Sequence, residues 1–459
     1  MNAHGIEFAA KNIPALDTGF LPLAKFNESY LKTADKPLNI AVERNDGLIS
    51  VYKTRVHGTK EMFDADCFYV ERLVKLLLWV RGGYRVFVCG DSAVAGFVKA
   101  AYAKGGAREF DRDFMTRVYE KDFEVLSLPV ENTPAAHEQS KPIGRHLDGC
   151  RIGFDAGGSD LKVSAVVDGE AVFSEEIIWH PKLNGDPDYH YGEIVSALKK
   201  AAEKMPRVDA IGVSSAGIFI NNRAMMVSLF RKVPPALYKS RIRNIYLQAA
   251  REIGDVPVEV ANDGDVTALA GAMDLDENRV LGIAMGTSEA GGYVDEHGNL
   301  TGWLNELAFV PVDASAGAPA DEWSGDIGCG VQYFSQDAVI RLAPPAGIAL
   351  DDNLTPAEKL KEVQRRMEAG DAAAAKIFET IGVYLGHAVA LYASVYDINL
   401  VLLMGRVVSG RGGHSILDTA NTVLATEYPA VFQTLRLVLP DEKSRRIGQS
   451  VAAASLPRI

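Results

Sequence analysis

Three short stretches of this 459-residue chain carry side chains suited to gripping phosphate and moving a proton. The first is Asp155-Ala156-Gly157-Gly158-Ser159, where one β-rich run gives way to the next. Glycines at such a turn let backbone N–H groups approach an anion, and the Ser159 hydroxyl adds a donor. Asp155 beside it suits Mg²⁺ held through water, because Mg²⁺ takes oxygen ligands and dehydrates reluctantly. The same residues also fit an ordinary hairpin. The second stretch, Gly286-Thr287-Ser288, repeats the composition at the turn of another β-hairpin about 130 residues on. Two glycine turns in equivalent places are what a triphosphate gripped by two lobes needs. Neither GxxxxGKS nor a GxGxxG at a strand–helix junction is present, which disfavours the two commonest nucleotide folds.

Between the turns lies VEVANDGDVTALAGA. A strand is expected to end at Asn262-Asp263 and a helix to start near Asp265. A carboxylate at a strand end projects into a cleft, where it can take the proton of an attacking hydroxyl. Asp263 is therefore the candidate catalytic base. Helix capping is the competing account, since Asn and Asp are favoured caps and Asp265 alone would serve.

The elements that must position these residues follow from periodicity and turn chemistry. Residues 1–35 show no sustained period and read as an irregular arm. Two strands flank Asn45-Asp46-Gly47, a helix spans about Cys67 to Val80, and the strand YRVFVCG follows. A helix over Ala93 to Lys104 and further α/β text lead to a polar, proline-containing linker at 134–141. RIGFDAGGSDLKVSAVVDGEAVFSEEI reads as an antiparallel meander, followed by a helix over Asp188 to Lys204 and the strand VDAIGVSSAG. VLGIAMGTSEAGGYVDEHGNL is a weaker copy of the meander's opening, which suggests a duplicated domain with a cleft. Later, Thr355-Pro356-Ala357-Glu358 is a capping box, and Asp371 caps a helix with an apolar stripe. The expected domains are 1–147, an α/β region; 148–265 with a C-terminal helix at 445–459; and 266–444.

Composition narrows the class of function. Hydrophobic residues are 47% and charged residues 24%, as in soluble globular proteins. A net charge of −12 argues against a nucleic-acid surface. No segment reads as a membrane span or a signal peptide, so a cytoplasmic protein is expected. The four cysteines, Cys67, Cys89, Cys150 and Cys329, form no CxxC pair and fit a reducing compartment.

The order FDAGGS, VANDGDVTALAGA, MGTSEAGGYVDEHGNLTG, NELAFVPVD, GCGVQYFS, EAGDAAAAKIFETIGVYLGHAVA and LLMGRVVSG resembles the ROK group of sugar kinases and sugar-responsive repressors. That group lies within the actin/hexokinase/Hsp70 ATPase superfamily, and the resemblance runs from about Arg151 to Leu456. It implies two lobes of actin-like, ribonuclease H-like α/β fold, with residues 1–147 added. It implies that Asp155 helps place Mg²⁺ and that Gly157, Gly158 and Ser159 form a first phosphate loop. By the same resemblance Gly286 and Thr287 form the second phosphate loop, and Gly405 belongs to an adenosine-side loop. Asn262 matches a sugar-hydroxyl ligand, Asp263 the base and Glu306 a sugar-binding glutamate. A homodimer is implied by the family alone.

Departures from the family pattern are equally specific. Ala308 and Phe309 stand where relatives often have Gly-His, Val331 follows Gly328-Cys329-Gly330 where a glutamate is usual, and Arg406 replaces a glycine. Cys329 is the one cysteine left of the family's zinc cluster, too few for a four-ligand site, so no zinc is expected. Loss of His and Glu for Phe and Val implies a less polar substrate or a different hydroxyl pattern. Asp160 brings negative charge beside the first phosphate turn, with Lys162 two residues on. Arg406 and Arg411 could touch adenine or phosphate, though solvated loop arginines are the commoner reading.

Together these features predict a kinase that uses ATP and Mg²⁺ to phosphorylate a sugar-like hydroxyl. The alternative is a sugar- or nucleotide-sensing protein that does not catalyse and acts through a protein partner.

Overall fold

The computed structural model describes residues 1–139, 142–440 and 448–459. Ser140 and Lys141 of the expected linker, and the first residues of the expected C-terminal segment, lie outside them. β1 (Asn2–Ala3) pairs with β2 (Ile6–Glu7), and α1 (Leu23–Leu31) follows. The stretch read as an irregular arm thus contains a helix. At nine residues it is too short to show a period, and Pro22 opens it without a side-chain cap. It forms because Leu23, Ala24, Phe26 and Tyr30 are buried, with the helix packed on the long segment Ala372–Tyr392.

β3 (Lys36–Glu43) and β4 (Ile49–Val56) pair antiparallel about the expected turn, where Asp46 and Gly47 take φ of 60° and 70°. α2 (Phe63–Arg81), β5 (Arg85–Cys89), α3 (Ser92–Ala101), α4 (Glu109–Tyr119) and β6 (Glu124–Leu128) complete a sheet of order β4-β3-β5-β6. α2 is buried on nearly all sides, Lys75 included at 0% exposure. A buried charge is tolerated only when paired. Lys75 Nζ lies 3.0 Å from Asp111 Oδ2 and 3.1 Å from Asp326 Oδ2, and Arg72 Nη1 is 2.9 Å from the same Asp326 oxygen. Arg108 Nη1 is 2.7 Å from Asp326 Oδ1, and Arg72 Nε is 2.7 Å from Glu71 Oε2. Arg72, Lys75 and Arg108 thereby balance Glu71, Asp111 and Asp326.

The next sheet is made of β7 (Cys150–Ala156), β8 (Asp160–Val167), β9 (Glu170–Ile178), β10 (Ala210–Ser215) and, beyond the ribbon β11 (Ile218–Ile220) and β12 (Arg223–Met226), β13 (Val258–Asn262). Its order is β13-β10-β7-β8-β9, with β7–β9 an antiparallel meander and β10 and β13 parallel to β7. Period-two alternation sorts β7: Cys150, Ile152 and Phe154 join a core with Ile194 and Leu198 of α5 (Pro187–Ala202). After the short α6 (Pro235–Leu237), α7 (Ile245–Arg251) continues that side through Ile245, Tyr246 and Ala249. α8 (Asp263–Asp274) follows β13 directly.

β14 (Val280–Met285), β15 (Glu289–Val294), β16 (Leu400–Met404) and β17 (Arg436–Val438) form a sheet of order β15-β14-β16-β17. α9 (Gln336–Leu342), α10 (Pro356–Glu368), α11 (Ala372–Tyr392), α12 (Gly410–Glu427) and α13 (Pro429–Thr434) accompany it. α11 is long and apolar enough to cross a membrane, but α1, α9, α10 and α12 cover it. Finally α14 (Gly448–Ala454) packs on β7, β8, β10 and α8. Its backbone runs so close that a Cβ on Gly153 would sit 1.8 Å from Ser450 O, and one on Gly212 1.6 Å from Ala453 O. Only glycine permits that approach.

The chain divides into two compact units, one of Met1–Gln139, Ile283–Gly291 and Trp303–Leu439, the other of Ser140–Gly282, Gly292–Gly302 and Pro440–Ile459. This division runs differently from the sequence boundaries at 147/148 and 265/266. The N-terminal α/β region shares its unit with Trp303–Leu439, and all of α8 lies in the second unit.

Candidate active site

In the unit containing Ser140–Gly282, parallel register places the expected acids together. Asp155 of β7 aligns with Ser214 of β10 and, through it, with Ala261 of β13; one step on, Ala156 aligns with Ser215 and Asn262. Asp155 and Asp263 therefore lie at the same end of the two strands that flank β10, beside the Gly157–Ser159 turn. Strand carboxyl ends are where ligands collect on open α/β sheets.

Asp155 is 6% exposed. Ser214 Oγ donates to its Oδ1 at 2.7 Å, and Gln449 Nε2 of α14 donates to the same oxygen at 3.2 Å. Burial pushes its carboxyl up to about 6; the Ser214 hydrogen bond opposes the shift, and the charge of Asp263 adds to it. Asp263 is also raised, first by lost solvation, against the Gly264 N–H and the charge of Lys182. Gly157 N donates to Asp160 O at 2.9 Å and closes the turn. Asp160 is not a bare negative charge, since Lys162 Nζ lies 3.5 Å from its Oδ1.

The cap of α8 falls on Asn262 rather than Asp265. Asn262 Oδ1 accepts from Gly264 N at 2.7 Å, and its Nδ2 donates to Gly217 O at 2.8 Å. Its amide is thus partly engaged within the unit, which leaves one N–H of Nδ2 and one lone pair of Oδ1. Asp265 is buried and accepts from Tyr293 N at 3.1 Å, a tie between α8 and β15. Asp263 opens the helix and accepts from Gly264 N at 3.0 Å.

In the other unit, Gly286, Thr287 and Gly405 come together because β14 and β16 are neighbours. Gly286 N donates to Ser288 O at 2.9 Å, and Gln336 N donates to Gly286 O at 2.8 Å. Gly405 has φ of 93°, and a Cβ there would lie 2.3 Å from Met285 O, so the close passage requires glycine. Arg406 is not a free loop arginine: its Nη2 donates to Thr287 Oγ1 at 2.9 Å. Arg411 ties α12 to α10, its backbone N donating to Glu368 Oε1 at 2.7 Å.

Glu306 belongs to the same unit but to a different neighbourhood. Its N–H donates to Trp79 O at 3.0 Å, and Asn305 N donates to Val80 O at 2.9 Å, so the end of α2 holds this segment. Phe309 stacks on Trp79, with ring centroids 4.2 Å apart, and lies against Phe110 and Phe114. That changes the reading of Phe309: its ring is engaged in the contact with α2 and α4. Trp303 meets Arg81, whose guanidinium lies 4.5 Å from the ring centroid. Val331 lies half-buried in a short 3₁₀ turn whose carbonyl accepts from Ser335 Oγ at 2.7 Å.

Sequence reasoning missed Ser214, Gln449, Lys182 and the role of Arg406. The serine pair closing VDAIGVSSAG was a usable signal; a glutamine and a lysine in unremarkable text were not.

No known protein-family model matches the chain. Among curated proteins it is similar to a glucokinase of Halalkalibacterium halodurans, 29% identical over 177 residues, which is 35% of this chain and 52% of the glucokinase. The chain thus spans about half the length of that curated relative. A solved ROK hexokinase from Thermus thermophilus superposes with a TM-score of 0.52 at 20% identity, over 67% of this chain and 97% of the hexokinase. A ROK family transcriptional regulator, a homologue of the E. coli MLC protein, gives 0.54 at 18% identity, over 71% of this chain and 80% of the regulator. The meander, the parallel strands ending in acids and the second glycine turn are parts of one architecture, and the chain has the actin-like ATPase fold of the ROK proteins, with an added N-terminal α/β region.

Proposed function

We propose that this protein is a kinase that transfers the γ-phosphoryl group of ATP to a hydroxyl of a sugar or sugar-like substrate, with Asp263 as general base. The observation that carries the proposal is the shared register of β7, β10 and β13, which sets Asp155 and Asp263 at one sheet end beside the Gly157–Ser159 turn. Asp263 in its carboxylate form accepts the hydroxyl proton as that oxygen bonds to the γ-phosphorus and the bond to the ADP oxygen breaks. Gly157, Gly158, Ser159, Gly286 and Thr287 are the proposed phosphate contacts. Gly405 is assigned to the adenosine side, and Glu306 and Asn262 to the acceptor.

The residues fit Mg²⁺. Ser214 and Gln449 both use Oδ1 of Asp155, which leaves Oδ2 without a hydrogen bond among the described residues. Asp155 would hold the ion through its coordinated water, as Mg²⁺ takes oxygen ligands and dehydrates reluctantly. When bound, the ion neutralises charge on the phosphate oxygens.

The test compares wild type with Asp263→Asn on hexoses, N-acetylhexosamines and polyols. Wild type is expected to phosphorylate a member of the panel, and the variant to lose on the order of a hundredfold or more in kcat. Equal rates for the two proteins remove Asp263 as the base. The likeness in fold to a regulator favours a second reading, a ligand-sensing protein without catalysis. Thermal-shift titration distinguishes that case: no stabilisation by millimolar ATP-Mg²⁺ would support it.

A further inference from the structure

The segment after β9 builds a platform around the first glycine turn. Trp179, 1% exposed, donates from Nε1 to Gly157 O at 2.8 Å and from its backbone N to Ser159 O at 3.2 Å. Both bonds fix carbonyls of the turn, and the Gly157 N–H bonded to Asp160 O fixes it from within. A single 3₁₀ turn, Pro181–Leu183, then carries the exposed Lys182 back over that turn. A Cβ built on Gly158 would lie 3.2 Å from Lys182 Nζ and 3.5 Å from its Cε, so the ammonium stands directly above that glycine. Among the described residues no carboxylate lies within ion-pair distance of Lys182, whereas Lys162, the other lysine at the turn, is paired with Asp160. Lys182 is also the cation whose charge reaches Asp263.

An unpaired ammonium beside backbone donors and a carboxylate base is placed for an oxyanion that arrives with the substrate. We propose that Lys182 contacts the transferring phosphoryl group, its ammonium binding a non-bridging oxygen over the Gly157–Ser159 turn. The assignment rests on the phosphoryl-transfer reading above and extends it to a residue outside the motifs that suggested that reading. Lysine suits the role as a compact point charge with three donors, stabilising charge without entering the covalent change. In this role the lysine neither gives nor takes a proton, so the proton count of the reaction is unaltered.

The test uses Lys182→Ala and Lys182→Arg in the full-length chain, with separate kcat and KM values for ATP and acceptor. Lys182 is exposed, so neither variant is expected to disturb folding. Lys182→Ala should lower kcat on the order of a hundredfold with the acceptor KM unchanged, and Lys182→Arg should recover part of the loss. An alanine variant with wild-type constants overturns the proposal, as does one that changes only the acceptor KM. If wild type transfers phosphate to no acceptor, the kinase reading fails, and titration with Mg-pyrophosphate then judges the lysine by itself. A tenfold or greater loss of pyrophosphate affinity in Lys182→Ala keeps the assignment; equal affinity, or no binding by wild type, rejects it.

Discussion

Asp263 and Asp155 share one sheet end but not one environment, and the difference suits the separate roles proposed for them. Two donors anchor Oδ1 of Asp155, while Asp263 opens a helix with a lysine charge in reach. Both carboxyls are raised, so each is held by the protein more readily in its neutral form than in free solution. A base must be deprotonated to act. As pH rises through its raised pKa, Asp263 gains its charge, and kcat/KM should rise with it. The acid limb of a pH–rate profile is therefore expected above the ordinary carboxylate value of about 4. A limb at or below that value, or none, contradicts the assignment. Because the two charges interact, the limb reports the pair rather than one microscopic group. Asp263 as a candidate was legible from Asn262-Asp263 closing a β-run. What the text left open was which residue capped α8, because Asn and Asp there are equally good caps; the bond from Gly264 N to Asn262 Oδ1 decides it.

Elements show where local signals suffice. The capping box at Thr355 and Glu358 forms as read, and Asp371 caps α11 through Ala373 N at 2.8 Å, because each pattern needs only its own few residues. α1 was invisible because its stability comes from α11, more than three hundred residues away in the chain. α2 was legible as a helix, but its buried charges were not interpretable until α4 and the loop holding Asp326 supplied partners. Removing one member of such a cluster strands the others without a counter-charge. Lys75→Met is expected to cost about 3–5 kcal/mol, read as a shift in the urea unfolding midpoint. A loss below about 1 kcal/mol would mean that the cluster contributes little beyond packing.

At the scale of the whole molecule, the N-terminal region reads in the sequence as a separate α/β region that ends near a linker. The contacts place it in one compact unit with Trp303–Leu439, joined by the Trp79–Phe309 stack, the Asp326 ion cluster and backbone bonds to Asn305 and Glu306. A chain starting at residue 142 should therefore lose cooperative unfolding and solubility, measured by circular dichroism on heating and by sedimentation. A folded, soluble truncation would show that the region is an accessory. By itself, the sequence determined the meander, both glycine turns, the capped helices and the order of the acids, since turn chemistry, caps and hydrophobic period act over a few residues. Tertiary structure alone decided that Lys182 stands over Gly158, that Gln449 reaches Asp155, that Arg406 serves Thr287, and that Phe309 packs on α2. Those contacts join residues distant along the chain, and side-chain type alone carries no record of the partner that sheet register and helix packing will bring to it.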